Sequence, residues 1–473
     1  MLTIDIDQDG IALVTIDMPG RSMNVIDWPM LDALDAAARR LVADAAVTGI
    51  VFTSGKGAFI AGADLAIMED LSGPGLTAGE TAQRAGRMGD VFRRIETCGK
   101  PVVAAAPGTA LGGGFELMLA CHHRIAADTP KAVFGLPEVK LGLLPGAGGT
   151  QRLPRLIGIA EALPLLLEGR ALTVAEAQAA GLLDAVVPPE ALLDTAKAAL
   201  REQRVSPEPA WDQKGFGWPG AAPASPAVQE LFALVNARTL AATRGLYPAP
   251  QAILSCVFEG ARLPMDKALK VERDYFATLV RGEVSRALIC TLFFARQASD
   301  KAGRRAGDPG DALVRAGREA YVAEGLRLVT EGMSPTLVEN LARAAGLEQG
   351  PLALARAAGL AIPESEAAAP AAQDEVRERL LLAPALAVAR ALAASGGAAP
   401  ELADLDAILG WGYPAWTGGP LWFIASMGPD RLAARCRALE TRHGARFAPP
   451  AIMPTSGARG AGEGRESPAS TLV

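Results

Sequence analysis

The chain has 473 residues, a formal net charge of −6, a hydrophobic fraction of 50% and three histidines. Charge of both signs is spread without long runs, which argues against nucleic acid or an anionic membrane surface as the main partner. The length allows about three domains with large buried cores.

Residues 2–7 and 11–17 alternate in polarity around Gln8-Asp9-Gly10, the pattern of a β-hairpin, so the acidic start reads as a strand rather than a signal peptide. Nowhere does an apolar run reach the ~18 residues of a membrane helix, and the expected setting is cytoplasmic, without strong membrane association. The five cysteines, Cys98, Cys121, Cys256, Cys290 and Cys436, form no CxxC pair and lie near no histidine cluster; they read as small buried hydrophobes, and no metal site is expected. A helix is expected over 30–45, with Leu31, Leu34 and Leu41 near one face, then a strand over 48–53, a helix over 81–97 and a strand over 101–106. Short strands alternating with helices imply an α/β architecture.

Two glycine-bearing loops lead from strands into helices. One is Ser54-Gly55-Lys56-Gly57-Ala58-Phe59-Ile60-Ala61-Gly62-Ala63-Asp64, where Asp64 reads as a helix cap. The other is Gly108-Thr109-Ala110-Leu111-Gly112-Gly113-Gly114-Phe115-Glu116. Three glycines let the backbone approach a ligand closely and leave the unpaired N–H groups of a helix N-terminus facing it. Donors aimed at an oxygen that gains charge are each worth about a hundred- to a thousandfold in rate. Glu116 follows within one helical turn. A second carboxylate, Glu138, ends Phe134-Gly135-Leu136-Pro137-Glu138, just before the glycine-rich turn Leu144-Pro145-Gly146-Ala147-Gly148-Gly149. His122 and His123 have no serine or cysteine elbow beside them and read as packing residues. Thr173-Val174-Ala175-Glu176 is a capping box, and the first domain is expected to end near residue 190. Gly73, Gly75 and Gly79 mimic a loose nucleotide-binding pattern, but no apolar strand leads into them.

These segments carry a resemblance. Leu111-Gly112-Gly113-Gly114-Phe115-Glu116, Phe134-Gly135-Leu136-Pro137-Glu138, Pro145-Gly146-Ala147-Gly148-Gly149-Thr150-Gln151-Arg152-Leu153-Pro154 and the upstream Ala58-Phe59-Ile60-Ala61-Gly62-Ala63-Asp64 resemble the enoyl-CoA hydratase/isomerase (crotonase) family in order and form. The resemblance implies a crotonase-type spiral of ββα units, backbone N–H donors at Ala63 and Gly113, Glu116 as the base that activates water and Glu138 as the acid that protonates the α-carbon. It places Ala61, Gly112 and Gly146 at the substrate, an acyl-CoA thioester, with no separate cofactor.

Further on, Ala249-Pro250-Gln251-Ala252-Ile253-Leu254-Ser255-Cys256 and Thr291-Leu292-Phe293-Phe294-Ala295-Arg296-Gln297-Ala298 are similar to the connecting helices of the multifunctional fatty-acid-oxidation α-subunits. Glu331-Gly332-Met333-Ser334-Pro335-Thr336-Leu337 and Leu409-Gly410-Trp411-Gly412-Tyr413-Pro414-Ala415-Trp416-Thr417-Gly418-Gly419-Pro420 are similar to their last helical module. Between these stretches a nucleotide-binding strand and GxGxxG turn should begin. Instead there is a polar linker, 301–311, and no histidine between His123 and His443. The expected domains are therefore a crotonase core over 1–190, a helical extension over 191–300, the linker, a helical module over 312–452 and a tail over 453–473, with a surface loop over 360–374. NAD is not expected to bind. The expected activity is hydration of 2-enoyl-CoA thioesters in β-oxidation, with Δ3–Δ2 isomerisation in the same pocket and a thiolase β-subunit as partner. The alternative is a non-catalytic acyl-CoA-binding or assembly subunit.

Overall fold

The computed structural model describes residues 1–73, 75–308, 310–364, 372–396 and 399–450. The expected tail over 453–473 and residues 365–371 of the loop expected over 360–374 lie outside them. Two compact units result: 1–241 with 248–282, and 242–247 with the described residues from 283 onward. The stretch 191–300 is thus shared between them.

In the first unit, β1 (Leu2–Ile6) and β2 (Ile11–Ile16) pair antiparallel from Leu2↔Ile16 to Ile6↔Ala12. Asp7 makes the turn, its Oδ1 accepting from the N–H of Asp9 (3.1 Å) and Ile11 (3.0 Å). The helix α1 (Trp28–Ala43) begins two residues before its apolar spacing suggests, because Asp27 caps the Met30 N–H at 2.8 Å and Pro29 suits a first turn. After β3 (Gly49–Ser54) and the short α2 (Ala66–Leu71) comes α3 (Ala78–Glu96). A capping box between Thr77 and Glu80 starts α3 three residues ahead of the expected 81.

β4 (Val102–Ala106), β5 (Ala110–Leu111), α4 (Gly113–Ala120), β6 (His123–Ala127) and β7 (Val133–Gly135) follow. Then come a single 3₁₀ turn over Glu138–Leu141, α5 (Gly149–Ile157), α6 (Ile159–Glu168), β8 (Leu172–Thr173), α7 (Val174–Ala179), β9 (Ala185–Val187) and α8 (Leu192–Arg201). The large sheet runs β1-β2-β3-β4-β6-β9 and is parallel from β2 onward, whereas β5, β7 and β8 form a small second sheet. Strand after strand returns through a helix, which gives the crotonase-type α/β spiral. Packing continues past residue 190: Leu192, Ala196, Ala199 and Leu200 of α8 share one core with Ile11, Val51, Val103 and Ile125 of the sheet. The unit is completed by α9 (Pro226–Thr243), whose last two residues belong to the second unit, α10 (Pro248–Gly260) and α11 (Met265–Val280).

The second unit is helical throughout its described residues. α12 (Glu283–Leu288) passes through a π-helical turn, Ile289–Ala295, into α13 (Arg296–Lys301). The expected linker that follows is held: Asp406 accepts from the Gly307 N–H at 2.8 Å and pairs with Arg304. The module then runs through α14 (Ala312–Thr330), α15 (Pro335–Ala344), α16 (Pro351–Ala357) and α17 (Gln373–Ala394) around Tyr321, Leu328, Leu352 and Leu380. A second cluster joins Leu386 and Leu421 to Phe447. All five cysteines are free thiols, three of them buried. No described helix is long and apolar enough to cross a membrane.

Candidate active site

The turn into α4 depends on glycine at two positions. Gly112 has φ +52°, a left-handed conformation that other residues adopt at a cost, and a Cβ there would lie 2.8 Å from Glu138 Oε1. At Gly114 a Cβ would lie 2.3 Å from the Ile60 carbonyl oxygen, so only glycine lets α4 close on that segment. The approach is fixed by the bridge Ile60↔Ala110 and by the Leu111 N–H donating to Ile60 C=O at 3.1 Å.

Beside it, Ala63 is bridged to Ile26. The bonds of that bridge run from the Ile26 N–H to Gly62 C=O (2.9 Å) and from the Asp64 N–H to Ile26 C=O (2.8 Å). The Ala63 N–H takes no part in them. The Gly113 N–H opens a helix and has no intrahelical acceptor. A Cβ placed on Gly113 would sit 3.7 Å from the Ala63 nitrogen, so the two donors lie side by side. Both residues line an apolar cleft that encloses about 710 Å³ of empty space, part of it open to solvent. Glu116, Glu138, Gly112 and Gly146 line it too, and Trp28, Leu71, Met88, Leu141, Leu143 and Phe276 supply apolar wall. Of the residues expected at the substrate, Ala61 is apart: its N–H is bonded to Asn24 C=O at 2.8 Å, and it does not line the cleft. Asp64, expected as a helix cap, stands one residue before the actual N-cap of α2, Leu65; its Oδ1 accepts from the Ala66 N–H at 3.0 Å and its Oδ2 pairs with Arg21 at 2.8 Å.

The two carboxylates differ. Glu116 is 2% exposed, and its Oε1 accepts from the N–H groups of Ala147 and Gly149, both at 2.8 Å. Burial pushes it up to about 7, opposed by those two bonds and the Arg152 charge. Glu138 Oε2 is buried with no hydrogen-bond partner among the described residues. Burial, and then the charges of Glu116 and Glu272, raise Glu138 well above the ordinary carboxylate range. At neutral pH the arrangement therefore offers one carboxyl ready to accept a proton and one that carries a proton to give.

Glu272 has no counterpart in the sequence reading, yet a signal exists: it falls on the buried stripe Met265, Ala268, Glu272, Phe276, Leu279 of α11. It is 1% exposed and accepts from the N–H of Gly148 (2.5 Å) and Thr150 (3.0 Å) and from the Thr150 hydroxyl. Arg152, fully buried, spans the same turn, donating Nη1 to Ala147 C=O at 2.8 Å while Nε and Nη2 grip Glu96 at 2.7 and 3.0 Å. His122 is structural, as expected: its Nδ1 accepts from the Val102 N–H at 3.0 Å, which leaves Nε2–H to donate to Glu96 C=O at 2.9 Å. No cluster of metal-ligating side chains occurs among the described residues.

Residues 7–211 match the family model described as enoyl-CoA hydratase/isomerase. The fatty acid oxidation complex subunit alpha of Shewanella amazonensis is 39% identical over 323 residues, covering 67% of this chain and 44% of that protein. The subunit of the same name from Shewanella loihica is 38% identical over 304 residues, 63% of this chain and 42% of its own. The chain thus matches less than half the length of these curated relatives. Among solved structures, Pseudomonas aeruginosa DspI is 33% identical with a TM-score of 0.37, covering 44% of this chain and 81% of that one. A monofunctional enoyl CoA isomerase from M. smegmatis is 30% identical with a TM-score of 0.35, covering 43% and 84%.

Proposed function

We propose, from the premise that the chain belongs through residues 7–211 to the enoyl-CoA hydratase/isomerase family, that it adds water across the double bond of 2-enoyl-CoA thioesters. One observation carries the proposal: the adjacent Ala63 and Gly113 N–H groups and two buried carboxyls, Glu116 with Oε1 held by two backbone N–H groups and Glu138 with Oε2 unpartnered among the described residues, line the same apolar cleft. The thioester oxygen would accept from Ala63 and Gly113, and the N-terminal dipole of α4 would favour the charge that builds there. Electron density then leaves the β-carbon. Glu116, its Oε1 fixed, takes a proton from water through Oε2; the water oxygen bonds to the β-carbon, and Glu138 delivers its proton to the α-carbon. One water is consumed and both carboxyls end one proton-transfer away from their starting states.

A second activity proposed for the same pocket is Δ3–Δ2 isomerisation, which needs proton transfer by only one of the two glutamates. A purely assembling role is the weaker reading, because it leaves the unengaged donors and the orphaned carboxyl oxygen without a purpose. The relatives are named as fatty acid oxidation complex subunits, which supports a setting in β-oxidation; a thiolase β-subunit is the partner we propose. NAD-dependent oxidation stays outside the proposal, since the polar linker stands where the dinucleotide cradle would begin.

The pH dependence of hydration tests the assignment. Glu116 must be ionised to act as base, and its raised value means it is protonated at a pH where an ordinary carboxylate is not. The rate with crotonyl-CoA should therefore fall as pH drops through about 7, approaching tenfold per unit. A rate that stays level from pH ~8 down to pH ~5.5 would remove Glu116 from this role.

A further inference from the structure

Four consecutive backbone N–H groups, of residues 147 to 150, are shared alternately by two carboxylates. Glu116 on α4 takes Ala147 and Gly149; Glu272 on α11 takes Gly148 and Thr150. Each carboxylate holds two of the four donors, so the turn is bonded to both helices. The turn is tightly walled: Gly148 has φ +108° and a Cβ there would meet the Arg152 guanidinium, while a Cβ on Gly149 would lie 2.9 Å from Glu116 Oε1. Gly146, which lines the cleft, packs on the Phe276 ring, one helical turn along α11 from Glu272.

We propose that Glu272 is a positioning residue of the cleft: by gripping Gly148 and Thr150 it fixes the turn whose other two N–H groups hold Glu116 Oε1, so that Oε2 faces the reacting water. The inference rests on the hydratase reading and deepens it. Glu272 lines no part of the cleft itself and touches no substrate; it acts through Glu116. Around it stand Glu116 from α4, Glu138 from the 3₁₀ turn, Arg152 from α5 and the Cys256 thiol of α10, while Arg273 on its own helix pairs away from it with Asp90. Three donors converge on Glu272, against burial and the neighbouring Glu116 charge, which together raise it to about 8.

Glu272→Gln keeps the shape but brings an NH₂ group against one of the backbone donors, which turns the grip into a repulsion on one side. Misplacing a catalytic group by about 1 Å costs on the order of a hundredfold. The full chain with Glu272→Gln, assayed on crotonyl-CoA, should lose about ten- to a hundredfold in kcat with KM within about threefold of wild type. Combined with Glu116→Gln, the same substitution should cost less than about threefold further, because two residues that act as a unit are non-additive. Thr150→Ala, which removes the hydroxyl that donates to Glu272 and also meets Gln151 Nε2 and Cys256 Sγ while leaving both backbone N–H bonds to Glu272 in place, is the milder probe should Glu272→Gln not fold. It should lower kcat several-fold in the wild-type background and leave the Glu116→Gln rate unchanged. Equal factors in both backgrounds, or a change confined to melting temperature, would overturn the positioning role. Absence of any wild-type turnover would instead overturn the hydratase reading beneath it.

Discussion

Glu116→Gln and Glu138→Gln are each expected to slow crotonyl-CoA hydration by about a hundred- to ten-thousandfold, the usual worth of a positioned acid or base. The physical reasons differ. Glutamine at 116 presents an amide that accepts no proton from water, although its oxygen can still take the Ala147 and Gly149 N–H groups at the place of Oε1. At 138 the lost group is the proton itself, held on a carboxyl that burial and its acidic neighbours keep neutral. Because neither change adds volume or leaves a buried charge, the folded chain should survive both. A variant that is folded, retains its melting temperature and turns over at the wild-type rate would exclude that residue from the chemistry.

Arg152→Met should cost about 3–5 kcal/mol of stability, since it removes one partner of a fully buried ion pair and leaves Glu96 1% exposed. Arg93 compensates only in part: it stays on Glu96 Oε2 at 2.7 Å, but its guanidinium is also divided between Asp212 and Asp266, and Glu96 Oε1 loses its only charged partner. The loss corresponds to a fall in melting temperature on the order of 10 °C for a domain of this size. Activity should fall too, because Arg152 Nη1 supports the Ala147 carbonyl in the turn that orients Glu116. Removing both charges, as Glu96→Leu with Arg152→Met, should recover most of the stability, as replacement of buried pairs by apolar residues commonly does. Thermal unfolding of the single and double variants measures this directly; a single variant within about 1 kcal/mol of wild type would contradict it.

What the sequence made legible follows from how local each signal is. The hairpin at Gln8-Asp9-Gly10, the capping box at Thr173 and the glycines before α4 are encoded within a few residues, and each appears where its local chemistry requires. Helix starts shifted where a cap outranked the apolar spacing, at Asp27 and Thr77. The site residues come from three segments: Ala63, Gly113 with Glu116, and Glu138. The local sequence already set Glu116 within a turn of the glycines, and the resemblance assigned the donors and the two roles in advance; the fold brings all four to one cleft. Glu272 and Arg152 were hidden for a different reason. Their partners lie 122 to 124 and 56 residues away in the chain, so nothing in their own neighbourhoods announces a buried charge. Only the placement of Glu272 on an apolar helical stripe hinted at burial.

The most direct measurement is to incubate the full chain with crotonyl-CoA, with and without NAD⁺, while following the enoyl absorbance and weighing the product. The account predicts loss of the enoyl absorbance, a product heavier by one water, and no NADH in either arm. An unchanged substrate, or NADH formed by this chain alone, would contradict it.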